Sequence, residues 1–147
     1  MKPNAIERTV QKTNVWLHDI CDGLQVEDER VAYHALRGVL HAIRDRLTVE
    51  SAVAFGAQLP LLIRGIYYEG WHVHGKPVHV RTADGFLDLV AGNLALDSEL
   101  GVDPQRALDA VFATLLAHAD PGAVEKFYNG LPADIQTVFA ERMAISS

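Results

Sequence analysis

The chain has 147 residues, 49% of them apolar and 22% charged, with a formal net charge of −6. A chain this long buries about 68–70% of the surface its unfolded form exposes, so one core forms without disulfides or a structural metal, and its apolar fraction excludes disorder. The acidic balance excludes sequence-general nucleic-acid binding, which needs clustered cations; the densest run, Arg37, Arg44, Asp45 and Arg46, is broken by a carboxylate.

Cys21 stands alone, so no intramolecular disulfide forms. No stretch approaches the ~20 apolar residues of a membrane span, and the first ten residues do not resemble a secretory leader. The expectation is a cytoplasmic protein with no membrane partner.

Apolar spacing and helix punctuation predict eight helices. The first, 5–23, carries Val15, Trp16, Ile20 and Leu24 as a stripe. Cys21 follows His18 by three residues. Such a pair can make a nucleophile, but on an apolar stripe the thiol reads as buried and inert. The second helix, 29–46, carries Ala32, Ala35, Leu36, Val39 and Ile43, with Leu47 just beyond. Thr48 caps the third, 49–57. Leu59-Pro60 opens the fourth, 60–70, which runs into Tyr67, Tyr68 and Trp71. Tyr67 and Trp71 are expected in the core and Tyr68 outside it.

The one longer connection, Trp71 to Arg81, is rich in histidine. A turn at Gly75-Lys76 would pair Val73 with Val78 in a short hairpin. Alternation then places His72, His74 and His79 on one face, where three imidazoles suit zinc, nickel or copper. The alternative is a solvated loop. No other cofactor is expected.

Thr82 caps the fifth helix, 83–96. Asp103-Pro104 and Asp120-Pro121 open the sixth and seventh, 104–118 and 121–129, with a capping carboxylate before a proline that has no N–H to waste. Ala107, Ala110, Val111, Leu115 and Ala119 form the sixth helix's stripe. Leu131-Pro132 opens the eighth, 132–144.

The two halves align. Asn14–Leu24 matches Asp84–Leu94 without a gap, placing Trp16 on Phe86 and Ile20 on Val90. Ala32, Ala35, Leu36 and Leu40 fall on Ala107, Ala110, Val111 and Leu115. Phe55, Leu59, Pro60 and Ile63 fall on Phe127, Leu131, Pro132 and Ile135. The expected fold is all-α: one domain of two tandem, pseudo-two-fold-related four-helix repeats, roughly 5–70 and 83–144, joined by 71–81. Neither repeat has much core of its own.

The first half also carries Leu40-His41-Ala42-Ile43-Arg44-Asp45-Arg46-Leu47 and the run from Ala57-Gln58-Leu59-Pro60 through Arg64-Gly65-Ile66-Tyr67-Tyr68-Glu69-Gly70-Trp71. With Trp16-Leu17, Ala32–Leu36 and Phe86-Leu87, these strings resemble the bacterial DUF2267 family over nearly the whole chain. The resemblance implies a helical bacterial protein. It carries over no activity and no catalytic residues.

Three functional readings compete. The leading one is a non-enzymatic interaction or ligand-binding module, with a protein partner or a homodimer as the open partner class. The second is an anion or small-molecule binder built on Arg44, Gln58, Arg64 and Tyr67, because the planar guanidinium suits carboxylate and phosphate. In the competing structural role, the same arginines cap helix C-termini. The third is the histidine metal site. No Gly-rich phosphate loop, HExxH, GxSxG or CxxC occurs, so the balance is against an enzyme. The motif-bearing residues concentrate in the first half, which places any site there or at its seam with the second.

Overall fold

A computed structural model describes residues 4–95, 101–139 and 143. Within them the chain is all-helical, in the order α1 (Ala5–Leu24), α2 (Glu29–Arg46), α3 (Val49–Gly56), α4 (Leu61–Tyr68), α5 (Ala83–Leu94), α6 (Pro104–His118), α7 (Pro121–Asn129) and α8 (Ala133–Gln136). No helix among the described residues is long and apolar enough to cross a membrane.

Side-chain caps set most of the starts. Thr48, Thr82, Asp103 and Asp120 accept the backbone N–H of Ser51, Gly85, Arg106 and Ala123, satisfying donors the helix itself leaves orphaned. Asn4 and Asp28 do the same for Glu7 and Arg30. The two Leu-Pro starts work differently. Pro60 and Pro132 occupy the cap positions themselves and have no side-chain acceptor. A neighbouring helix helps α4, where the Thr9 hydroxyl accepts the Leu62 N–H at 2.9 Å.

Most predicted boundaries fall within two residues of the observed ones. The eighth helix departs. Among the described residues of the expected 132–144, α8 covers Ala133–Gln136; Thr137, Val138 and Phe139 then donate to Asp134, Ile135 and Gln136, three residues back, and Met143 is helical again, donating to Phe139. The tighter three-residue pattern is common at α-helix ends. Residues 140–142 and 144 of the expected eighth helix, and residue 96 at the end of the expected fifth, lie outside the described residues.

Packing crosses between the halves: α1 lies on α6, α2 on α5, and α3 on α7, while α2 and α6 meet in the middle. Gly23 permits the first approach, since a Cβ there would stand 3.0 Å from that of Ala110. Gly38 permits the second against Leu94, and the Asn93 amide donates to the Gly38 carbonyl at 2.9 Å. The core between these layers contains Ile20, Leu36, Leu40, Ile43, Val90, Val111 and Leu115, all fully buried. Phe55, Phe112, Phe127 and Phe139 close one end, with Phe55–Phe127 and Phe112–Phe139 ring centroids 4.9 and 4.8 Å apart.

Val15 leaves the expected stripe. It is 49% exposed, whereas Trp16, Ile20 and Leu24 are buried. One residue is a 100° turn on a helix, so residue 15 lies off the 16–20–24 line and on the side that lines a cleft.

Candidate anion-binding cleft

Residues 8, 11, 12, 15 and 16 recur at one-turn spacing along α1 and share a face. That face forms one wall of a cleft of about 550 Å³. The opposite wall is the α3–α4 junction, Ala57 to Pro60, with Arg64 from the first turn of α4. His118, the last residue of α6, stands at the rim. Three cations line the cleft (Arg8, Lys12 and Arg64), along with two primary amides (Gln11 and Gln58). Among the described residues no carboxylate lines it.

Arg64 is held by the end of α3. Its Nε donates to the Gly56 carbonyl at 3.1 Å, and Nη2 donates to the carbonyls of Ala57 and Leu59 at 3.2 and 3.0 Å. These bonds satisfy carbonyls that a helix C-terminus leaves open. They fix the guanidinium without neutralising it, and Nη1 keeps its donors among the described residues. Arg8 and Lys12 form no ion pair among the described residues. At the rim, His118 stacks on Trp16 with ring centroids 6.0 Å apart, and its Nε2 shares a hydrogen bond with Asp19.

The structure divides the four residues grouped from sequence. Gln58 and Arg64 share the cleft. Arg44 and Tyr67 lie inside the α2–α4 packing. Arg44 is 4% exposed. Its Nε donates to Asp45 Oδ1 at 2.8 Å, and its Nη1 donates to the carbonyls of Tyr67 and Glu69, each at 2.9 Å. The Tyr67 hydroxyl donates to the Ala52 carbonyl at 2.7 Å, and burial pushes its phenol far above the ordinary range. His41 Nε2 donates to the Ile66 carbonyl at 2.8 Å. Burial, reinforced by Arg44 and Arg37, holds the imidazole below its usual value despite that bond. These groups close the end of α4.

His72, His74 and His79 are each exposed. The hairpin expected to align them does not form. Instead, the Val78 N–H donates to the Asp45 carbonyl at 2.9 Å, and Arg46 donates to the Val80 carbonyl. The connection is thereby tied to the end of α2, and its own backbone bonds, Lys76 N–H to the Val73 carbonyl and Val80 N–H to the Val78 carbonyl, do not pair Val73 with Val78. Among the described residues, no group of three or more His, Cys, Asp or Glu is gathered to hold a metal ion. Cys21 is buried, and burial, with Glu29 next, raises its thiol. His18 is exposed and faces Asp22 at 3.5 Å. Trp71 and Tyr68 are both half-buried, so the expected contrast between them is not seen.

Sequence reasoning missed Arg8, Gln11, Lys12 and His118. The i, i+4 spacing of Arg8 and Lys12 was readable as a shared face. Nothing along the chain told that this face meets residues 57–64.

A comparison with protein families matches residues 13–138 to the family described as "Uncharacterized conserved protein (DUF2267)". No curated protein matches the chain.

Proposed function

The chain belongs to the DUF2267 family, and we propose that it is a non-enzymatic binding module that takes a small anion in the cleft between α1 and the α3–α4 junction. One observation carries this reading: three cations converge, with no carboxylate among the described lining residues, on a chain whose net charge is −6. Unneutralised like charges in a concave, partly apolar wall focus a positive field and attract an anion. Arg64 is preorganised by its three carbonyls, so little side-chain freedom is lost on binding. Gln11 and Gln58 add neutral donors. Among the described residues the lining contains no hydroxyl or thiol, so it offers no Ser, Thr, Tyr or Cys nucleophile. That favours binding over covalent chemistry.

The test is calorimetric titration and thermal shift with phosphate, sulfate and citrate at low ionic strength. An anion at about 100 times its Kd adds about 2.7 kcal/mol of stability. The double variant Arg8→Glu/Lys12→Glu abolishes the shift, and Arg81→Glu, on the distant connection, leaves it unchanged. No shift with any anion, or an equal shift in the double variant, overturns the reading.

In the same reading the chain is one domain of two repeats, about 5–70 and 83–144, joined by 71–81. Exchanging α1 with α5, α2 with α6 and α3 with α7 maps the principal packing pairs onto one another. Matched positions share their burial, as Ile20 with Val90, Leu36 with Val111, and Ile63 with Ile135 do. A single reduced thiol fits a cytoplasmic setting.

A further inference from the structure

A second cleft, of about 280 Å³, opens between α3 and α7. Its floor is apolar, with Ala54 and Phe55 from one helix and Ala123 and Phe127 from the other, and Ser51 and Lys126 also line it. The two rings lie 4.9 Å apart and are buried. At its border Asp120 is committed to the cap of α7, accepting the Ala123 N–H at 2.9 Å. Gln58 lines this cleft and the basic one alike. The two therefore adjoin at that side chain.

Resting on the anion reading above, we infer that the ligand is an amphipathic anion: a phosphate or carboxylate head held by Arg8, Lys12 and Arg64, and a short alkyl or aryl tail lying over Phe55 and Phe127. An inorganic anion would fill the basic cleft and leave the adjoining cleft open. A tail buries its own apolar surface in that cleft, and the Gln58 side chain, which lines both, can donate its amide to the head while its methylenes flank the tail. Arg8, Lys12 and Arg64 stand in the basic cleft, whereas the charges lining the other, Lys126 and Asp120, are of opposite sign, so the net positive charge lies toward the basic end and sets the ligand's direction as well as its class.

The experiment compares inorganic phosphate with ethyl, butyl, hexyl and phenyl phosphate by calorimetry, with acetate through heptanoate as a second arm and hexanol as a neutral control. Affinity is expected to rise roughly three- to fourfold per methylene until the cleft is filled in at least one arm, with hexanol binding far more weakly than the matching anion. Ala54 is exposed on α3, so Ala54→Trp blocks the tail cleft without entering the core. It is expected to remove the length dependence while leaving inorganic phosphate unaffected. Phosphate binding without any gain from a tail in either arm overturns this inference and leaves the anion reading standing. A length dependence that survives Ala54→Trp, or hexanol binding as tightly as the anions, also overturns it. Absence of binding by every anion overturns both.

Discussion

Arg44 and Arg64 carry the same guanidinium and both bond helix-end carbonyls, yet they serve different ends. Arg44 is enclosed, and its charge is answered by Asp45. Removing one partner of such a buried pair leaves the other uncompensated, so its role is to hold α4 against α2. Arg64 has no carboxylate among the described lining residues and stands at a cleft wall. Sequence placed both among the candidates because residue type is readable from a string, whereas the partner that neutralises a charge is not. His41 beside Arg44 gives a pH signature. Its folded value lies below its ordinary one because burial opposes the cation, so the unfolded chain takes up the proton first. Its contribution to stability is complete above about pH 6.5 and is lost as pH falls through the folded value. Urea melts between pH 7.5 and 5 are expected to show a decline that is shallower in His41→Gln, by as much as one bound proton in the slope. Equal slopes in both proteins would show that His41 does not titrate on unfolding.

The helices with side-chain caps were legible because a cap is a local bargain between one side chain and backbone donors two or three residues on. Thr48, Thr82, Asp103 and Asp120 were read correctly for that reason. The Leu-Pro starts were half-read: proline marks the place, but the Thr9 hydroxyl serving α4 comes from 53 residues away. The end of α8 and the failed hairpin at 71–81 share a cause, since competing bonds to other backbone groups decide both. The pairing of α3 with α7 leads to a prediction at this scale. Phe55 and Phe127 are buried and in ring contact, so each truncation to alanine is expected to cost about 3–5 kcal/mol. The double variant should fall short of additivity by about 0.5–1.5 kcal/mol. Strict additivity in chemical denaturation would mean that the rings are energetically independent.

Across the whole molecule, each half supplies the cover for the other. Trp16 stacks on His118, Arg106 donates to the Leu24 carbonyl at 2.9 Å, and the Asn93 amide reaches Gly38. The fold class was legible from periodicity, and the proposed duplication from Phe-x-x-x-Leu-Pro-x-x-Ile. The cleft was not, because it arises only where one helix face meets a distant junction. Fragments 1–81 and 82–147 are each expected to show well under half of their share of helical circular dichroism alone, and to recover it on mixing. Cooperative folding of 1–81 by itself would contradict this interdependence.

The crossing of α1 to α6 also sets a schedule for synthesis. α1 is complete at residue 24 and α6 at residue 118. At about 5–20 residues per second, the nascent N-terminal half trails from the ribosome for roughly 5–20 s before its covering helix exists. During that interval Trp16, Ile20 and Leu24 lack the cover that α6 gives them in the folded chain.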